Sequence, residues 1–517
     1  MTQVTDSHVE FVPGTVHLVD LLGNMHSKHA RGAQADVVLV PSPSNDPDDP
    51  LNWSRWRKLQ SVACLCTYIM AVGIASAAIY SVLVPIATDT GLGVSTMVEG
   101  TGYMFLFLGW GCFVCQPLAQ KYGKRPTYLI SLLGTMFFTH ERGTYMSVYA
   151  LFLVGSNFFA PVISGFINDG QGWQWVLHWC AIFCGGAFLI CFFFMEETNY
   201  FRTALLSSEP DALVEDDTET GALDYEVAST TKENFHPSDT NTVVDSVETA
   251  QNTTIHRSKR TYRQKLALFR SDDFQRNIKI KGLLYRPVLL ASFPVVFFSG
   301  FMYGAVVCYF NILNGVSSVI LGGAPYNFRA SMVGLSYLAC VVGVVIGFLF
   351  AGPLGDKFVL WKARRNNGIM EPEHRLWLYL ALLIGIPGAL LLWGVGAAHE
   401  IHWFGLIFAM GTLGFALTIG CQIPISYCID SYKDLGADAL VTVIVMRNSM
   451  SFAVSYGITP WVTGMGLQNA FILAAFVAMA QIATFLVFVK WGKSMRRSSA
   501  RRYQKYVEQV QHEGWQH

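Results

Sequence analysis

Long apolar segments separated by polar connections dominate the chain and predict its secondary structure. A helix that crosses a bilayer needs about 20 mostly apolar residues. Ten segments of the 517-residue chain meet this requirement: 60–84, 98–119, 144–167, 174–195, 287–311, 330–354, 375–397, 402–425, 437–462 and 468–490. An eleventh, at 127–138, has only 12 residues, so as a helix it covers roughly 18 Å of a hydrocarbon core of about 30 Å. The pattern predicts an all-α membrane protein with ten full spans and one short stub.

Lysine and arginine residues are concentrated in every second connection, which predicts the orientation of the spans. The basic connections include 55–58, 121–125, 357–365 and 490–502. The alternate connections, at 85–97, 168–173, 312–329, 398–401 and 463–467, contain only Arg329. Because basic connections remain on the cytoplasmic side, both termini are expected in the cytoplasm.

The short apolar stub conflicts with this orientation. It follows Lys124 and Arg125 and precedes Arg142, so both of its flanks have the basic character of cytoplasmic connections. One span cannot have both ends on the same side of a membrane, whereas two spans or none can. We therefore expect that a helical hairpin is missing here and that the stub is a remnant of it. The alternative is a re-entrant or interfacial segment.

The spans and the charges together predict five regions. They are a cytoplasmic N-terminal tail (1–58), a first, incomplete bundle (59–200), a central cytoplasmic loop (201–286), a second six-helix bundle (287–492) and a basic cytoplasmic C-terminal tail (493–517). Within the central loop, 205–255 is acidic, rich in Ser and Thr and typical of disorder. The part from 256 to 286 is basic, and either lies along the anionic inner leaflet or only enforces the topology.

Composition agrees with a membrane protein and excludes several other classes. Charged residues make up 14% of the chain, whereas soluble domains carry about 25%. The net charge is zero, so no nucleic-acid partner is expected. The 11 cysteines lie mostly inside apolar segments without the spacing of metal ligands, so no metal site is expected.

Two loops about 236 residues apart repeat a motif at the end of the second span of each half. The first, LAQKYGKRP at 118–126, contains Gly123, Lys124 and Arg125; the second, GPLGDK, contains Gly352, Asp356 and Lys357. The first resembles the cytoplasmic loop motif of the major facilitator superfamily, G-x-L-A-D-R-x-G-R-R-P. Gln116 and Gln120 replace its Gly and Asp, whereas the second copy keeps both. A charge lock is therefore expected at Asp356 and not in the first half.

A second motif lies in the predicted span 144–167. GSNFFAPVISG, which contains Gly155, Ala160, Pro161 and Gly165, resembles the fifth-helix signature that this superfamily associates with antiporters. The alternative is an ordinary proline-kinked helix. Further segments resemble a fungal branch of drug:proton antiporters that includes polyamine and cation carriers. They are DPDDPLNWSRWRK at 46–58, GTGYMFLFLGWG at 100–111, RRNNGIMEPEHR at 364–375, YCIDSYKDL at 427–435 and RNSMSFAVSYGITPW at 447–461.

The resemblance has consequences for fold and function. It implies two pseudo-symmetric six-helix bundles that alternate access to a central site, here lacking most of helices 3 and 4. The family's fourth helix carries an Arg-x-x-Gln-Gly motif linked to proton coupling, which has no counterpart here. We expect a monomeric plasma-membrane transporter of small organic molecules such as drugs, polyamines or other cation-like solutes. Its partners would be the solute and the bilayer, and its energy source the proton gradient, without a cofactor.

Charged residues inside predicted spans are candidates for the transport site, because each costs roughly 2.5–3.5 kcal/mol at mid-membrane. Arg447 is the clear example, with Asn448 beside it; the alternative is an arginine that reaches the cytoplasmic interface. No Asp or Glu lies clearly at mid-span, so a coupling role falls to His178 or to a carboxylate of the missing helices. His178 could equally be a packing residue. Other polar and aromatic residues expected to line a central cavity include Asn157, Tyr303, Asn311, Gln422 and Tyr427.

Three functions compete on this evidence. The leading hypothesis is a proton-coupled secondary transporter, exporter or importer. The second is a truncated family member, from a skipped exon or a gene-model error, that inserts into the membrane but does not transport. The third, a receptor or membrane enzyme, has little support because the spans contain no acid–base cluster, metal-ligand spacing or phosphate loop.

Overall fold

Within the described ranges, the fold consists mainly of long apolar helices, most of them joined by short connections. The computed structural model describes residues 12–17, 53–122, 142–194, 280–366 and 368–512. The stub at 127–138 and the loop-motif residues Gly123, Lys124 and Arg125 lie outside the described residues. In the first half the helices are α1 (Arg55–Ala77), α2 (Leu83–Thr90), α3 (Val94–Tyr122), α4 (Arg142–Gln171) and α5 (Trp173–Phe194).

The second half contains a larger set of described helices and one strand of a short β-pair. Its helices are α6 (Ile280–Leu290), α7 (Pro294–Gly322), α8 (Ala330–Ser336), α9 (Leu338–Leu349), α10 (Gly355–Arg365), α11 (Leu380–Ala398), α12 (Trp403–Ser431), α13 (Gly436–Met465), α14 (Leu467–Ala483) and α15 (Phe485–His512). A π-helical turn, Phe350–Leu354, joins α9 to α10. Strand β1 (Val16–His17) pairs antiparallel with β2 (Ile369–Met370).

The helices confirm the predicted all-α membrane architecture. Among the described residues, nine helical segments are long and apolar enough to cross a membrane. They correspond to nine of the ten predicted spans. The tenth, predicted at 98–119, is the 29-residue helix α3, which at about 1.5 Å per residue is also long enough to cross.

One span lies further along the chain than the pattern indicated. The segment predicted at 287–311 is interrupted after α6, and α7 begins with Pro294 as its first residue and continues to Gly322. Proline has no backbone N–H to donate and its φ suits the first helical turn, so it favours a helix start here. Among the nine described spans, α7 is the most buried, with 89% of its apolar 18-residue stretch inside the protein.

Helix α4 joins the two halves through the residues of the fifth-helix motif. A Cβ on Gly165 would lie 2.6 Å from the Ala330 carbonyl oxygen, and one on Gly334 would lie 2.4 Å from the Pro161 carbonyl oxygen. Ala160 is also buried, whereas Gly155 has no neighbour closer than Val344. The motif's small residues therefore let the backbones of α4 and α8 touch, which is how closely packed membrane helices associate.

Glycine also permits close approach within the second half. A Cβ on Gly343 of α9 would lie 2.0 Å from the Gly411 carbonyl oxygen of α12, and one on Gly347 would lie 2.9 Å from the Phe415 carbonyl oxygen. A Cβ on Gly300 of α7 would lie 2.8 Å from the Met446 sulfur of α13. The glycines of the Gly300–Gly304 and Gly343–Gly347 pairs are therefore helix-packing residues.

Gly343→Ala is expected to destabilise the protein by about 1–3 kcal/mol, because the new methyl group cannot fit against the α12 backbone. The control is Gly388→Ala on α11, where an added Cβ meets nothing within 4 Å. Thermal unfolding in detergent measures both. A Gly343→Ala unfolding temperature equal to that of the control would contradict the described packing.

Candidate transport site

Arg447 lies near the middle of α13 and points toward α7. It is 11 residues from the start of α13, which places it about 16 Å along the helix. Its Nη1 donates a hydrogen bond to the Tyr303 hydroxyl at 3.0 Å, and its Nη2 donates to the Asn448 Oδ1 at 2.6 Å. The guanidinium carbon also lies 5.0 Å from the centroid of the Tyr303 ring. A phenol and an amide are thus among the groups that hold the positive charge.

The position of Arg447 depends on the close approach of α7 and α13. A Cβ on Gly304 would lie 3.3 Å from the Arg447 Cα and 2.5 Å from the Met450 sulfur. A larger residue at 304 would push α13 away and lengthen the contact with Tyr303. The glycine on α7 therefore sets the geometry of the charged group on α13.

Asn448 connects the same site to the first half of the chain. It is fully buried, and a Cβ on Gly109 of α3 would lie 2.5 Å from the Asn448 Cβ. Its Nδ2 has no hydrogen-bond partner within the described residues. Asn448 therefore lies at the contact between the two halves, whereas Arg447 beside it faces α7 of its own half.

A second group of buried polar side chains lies further along α7. The Tyr337 hydroxyl donates to the Asn314 Oδ1 at 3.0 Å and lies 2.7 Å from the Ser317 Oγ. The Nδ2 groups of Asn311 and Asn314 are buried and lack partners in the described part of the chain. Unsatisfied buried donors cost about 1–3 kcal/mol each, so these amides are suited to bind an acceptor group or water.

Gln422 stabilises an irregular part of the helix that follows α9. Its Nε2 donates to the Ala351 carbonyl oxygen at 3.2 Å. In a regular α-helix the Gly355 N–H would donate to the Ala351 carbonyl, but at this turn it donates to the Gly352 carbonyl. The Ala351 carbonyl can therefore accept a hydrogen bond from another helix. Gln422 therefore joins α12 to this turn, a common feature of interrupted helices in membranes.

Two of the predicted candidates lie away from Arg447. Asn157 accepts a hydrogen bond from the Ser76 Oγ at 3.2 Å, and this bond joins α4 to α1. Its Nδ2 donates to the Leu153 carbonyl within α4. His178 is exposed on α5, where its ring packs edge-on against Trp175 at 5.5 Å. The structure thus brings together Arg447, Asn448 and Tyr303, and leaves Asn157 and His178 in other contacts.

A cluster of buried ion pairs lies at the end of the second bundle that carries Lys357, Arg375 and Arg496, here called the basic end. Arg375 Nε is 3.1 Å from the Asp430 Oδ2, and its Nη1 is 3.1 Å from the Asp356 Oδ1. All three side chains are buried, whereas Lys357 is exposed. Arg375 thus joins α10 to the end of α12, which supplies the ion pairs expected of a charge lock at Asp356. Gly352 lies buried in the π-helical turn one helical turn before it.

Tyr427 belongs to this end as well and not to the surroundings of Arg447. Its hydroxyl lies 3.5 Å from the Glu373 Oε1, and Glu373 forms a bidentate pair with Arg496 at 2.8 and 2.7 Å. The neighbouring Tyr432 is also buried, which raises the pKa of its hydroxyl to about 12. That hydroxyl therefore stays protonated at physiological pH and lies 2.8 Å from the Ser499 Oγ on α15.

Sequence reasoning missed the Glu373–Arg496 pair. Charged residues in short connections are usually hydrated, and nothing in the local pattern distinguishes this pair, which is 123 residues apart. Both side chains are buried, with Arg496 at 0% exposure. Only the packing of α15 against the connection before α11 brings them together.

Arg375→Gln is expected to lower the free energy of unfolding by about 3–5 kcal/mol, because it leaves two buried carboxylates without their cation. The matched control is Lys493→Gln, which breaks the ion pair between Lys493, 49% exposed, and Glu371 and should cost about 0–1 kcal/mol. Denaturant unfolding of the purified protein measures both. Equal losses would show that the Arg375 cluster is as hydrated as a surface pair.

Comparisons with known proteins agree with this architecture. The model of the Major Facilitator Superfamily matches residues 135–434. The chain is 26% identical to the uncharacterised MFS-type transporter C1271.10c of Schizosaccharomyces pombe over 554 aligned positions, which cover 97% of this chain and 95% of that protein. It is 25% identical to protein HOL1 of Saccharomyces cerevisiae over 583 positions, with 97% and 98% coverage.

A third relative is named for its activity. The multidrug transporter TPO1_2 of Candida glabrata is 23% identical over 504 positions, which cover 89% of this chain and 78% of that protein. The matched family model covers more than half of the chain, and the relatives match nearly all of it. The chain therefore belongs to the Major Facilitator Superfamily and is a multi-pass membrane transporter, not an enzyme.

Proposed function

We propose that this architecture moves small organic solutes between its two bundles, and that Arg447 is the charged group of the transport site. The observation that supports this is the position of Arg447 and Asn448: at mid-depth, bonded to α7 on one side and packed against α3 on the other. A buried cation is costly in hydrocarbon, so it is retained where it has a function. Alternating access requires a site at the contact between bundles, where Asn448, the neighbour of Arg447 in the chain, packs against α3.

The chemistry of the solute follows in part from the groups around Arg447. The Tyr303 ring already faces the guanidinium, and the described spans place no Asp or Glu at mid-depth. A polyamine or other cation-like solute would therefore need a carboxylate from elsewhere. The helices that the chain is proposed to lack are one source. The name of the Candida glabrata relative supports a broad class of organic solutes.

Proton coupling is part of the same proposal. The resemblance to drug:proton antiporters supports it, and coupling usually requires a buried carboxylate whose pKa can move. Arg447 would lower the pKa of such a carboxylate and would release it when solute or proton binds. The described carboxylates Asp356 and Asp430 are paired with Arg375 at the basic end, so we assign them to the lock and not to coupling.

The orientation and location of the chain complete this proposal. The basic end would face the cytoplasm, because the connections there carry most of the described Lys and Arg residues of the second bundle. Both termini would then be cytoplasmic. A monomer in the plasma membrane is consistent with the family.

Arg447→Ala, in a form with a complete first bundle, is expected to reduce solute flux about 10- to 100-fold, which corresponds to losing a charge-assisted hydrogen bond of roughly 1.5–3 kcal/mol. Arg447→Lys should retain part of the flux. The control is Arg329→Ala in the connection before α8. Uptake of a solute panel into transporter-deficient cells, normalised to protein in the membrane, measures the effect. Unchanged flux in Arg447→Ala would remove Arg447 from the site.

We also propose that the present form is transport-inactive because its first bundle lacks a hairpin. The alignment lengths support this. With 97% of 517 residues, about 501, in an alignment of 554 positions, about 53 positions of the Schizosaccharomyces pombe relative have no counterpart here. The same reasoning gives about 44 positions for the Candida glabrata relative. Two spans of about 20 residues and a turn need about 45.

The start of the family match lies close to the proposed gap. It begins at residue 135, inside the stub at 127–138 and just before the connection at 139–143. A first bundle without two of its six helices would not enclose a central site beside Arg447 of the second bundle. Loss of transport without loss of insertion follows from this.

The test is to compare the chain with a form that carries the missing segment. Genomic sequence around the Phe137 codon is expected to contain a coding stretch of about 45–50 residues with two apolar segments; if it does not, the aligned segment of the Schizosaccharomyces pombe relative replaces it. Flux is expected from the longer form only. Equal flux from both forms would contradict the proposed inactivity, and flux from neither would contradict the transport function.

A further inference from the structure

Residues 12–17, here called the strap, lie against the basic end of the second bundle, far along the chain from their own position. The strap contains β1, which pairs with β2 in the register Val16 to Met370 and His17 to Ile369. Strand β2 follows α10 in the connection that leads to α11. An N-terminal segment thus adds a strand to a connection about 350 residues away.

The strap contacts α12 through a glycine. Gly14 has a φ of +80°, a conformation that residues other than glycine rarely adopt. A Cβ at this position would lie 2.5 Å from the Asp430 carbonyl oxygen and 2.8 Å from the Ser431 Cα. The strap therefore meets the α12 backbone directly at the residue that forms the ion pair with Arg375.

The strap also completes the hydrogen bonding of Arg496 on α15. The Nε and Nη2 of this guanidinium bind both Glu373 oxygens. Its Nη1 donates to the Pro13 carbonyl and lies 3.4 Å from the Thr15 Oγ1. A fully buried guanidinium needs acceptors for all its donors. Glu373 supplies those on one side, and the strap supplies the other.

We propose that the basic end of the second bundle contains a peptide-binding groove, built by β2, the end of α12 and α15, whose occupant is the chain's own strap. The recognition mode is strand addition: backbone bonds supply affinity, and the glycine and the arginine supply specificity. Because the groove touches three separate elements, an occupied groove clamps them together and excludes water from the Arg496–Glu373 pair. The strap thus packs on the second bundle, although the next helix along the chain, α1, belongs to the first bundle. This proposal does not depend on transport activity.

Disulfide trapping in the full chain tests the groove. Val16→Cys with Met370→Cys places two thiols on paired residues, whose Cα atoms in an antiparallel pair are about 4.5–5.5 Å apart and within reach of a disulfide. The control pair, Val16→Cys with Ser498→Cys, uses an exposed residue of α15. A protease site inserted between residues 18 and 52 separates the strap from the bundle after oxidation. The native cysteines are replaced in both variants.

On a non-reducing gel, the N-terminal fragment is expected to remain attached to the bundle in the Val16–Met370 pair and to be released in the control. Adding Gly14→Val should reduce trapping about tenfold or more, equivalent to about 1.4 kcal/mol or more of lost affinity, while Arg496→Lys should reduce it less than Gly14→Val. The strap lies outside the membrane core, so gel filtration of each variant is expected to show an unchanged profile. Equal trapping in both pairs, or trapping that Gly14→Val leaves unchanged in folded protein, would overturn the proposal.

Discussion

A guanidinium group withdrawn from bulk water needs hydrogen-bond acceptors within the fold, and three buried or half-buried arginines of this protein find them there. Arg447 uses a tyrosine hydroxyl and an amide. Arg375 uses two aspartates, and Arg496 uses a glutamate together with backbone from a distant segment. These three solutions fix which helices must touch. The packing of α7, α10, α12, α13 and α15 follows from them, as does the division between a central site and a charged end.

Close helix approach is the second half of the same constraint. Arg447 reaches Tyr303 because Gly304 lets α13 lie directly on α7, and Asn448 reaches the first bundle because Gly109 leaves room on α3. The fifth-helix motif permits a similarly close approach at another contact between the halves, where Gly165 and Pro161 touch the backbone of α8. Substituting these glycines would therefore affect the transport site without changing a polar group. Packing and chemistry are coupled at the contact between the bundles.

Hydropathy was sufficient to predict the spans apart from the shifted start of α7, and one unusual residue suggested the proposed site. Arg447 stood out because an arginine within an apolar segment has few benign explanations. Gln422 and Tyr427 look like cavity residues in the sequence, but Gln422 joins a helix to a π-helical turn and Tyr427 lies beside Glu373. Their roles depend on contacts with residues far away in the chain, and the local pattern of apolar and polar residues does not reveal those contacts. The strap is the extreme example, since its partners lie about 350 to 480 residues away.

If Arg447 lies in a transport site between the two bundles, water must reach it from at least one side of the membrane. Reaction of an introduced cysteine with a water-soluble, membrane-impermeant thiol reagent tests this directly, because such a reagent reacts only where water reaches. In a cysteine-free form with the complete first bundle, Arg447→Cys should react, while Val443→Cys, one turn earlier on α13 and fully buried, should not. Failure of the reagent to react at 447 from either side of the membrane would contradict the account.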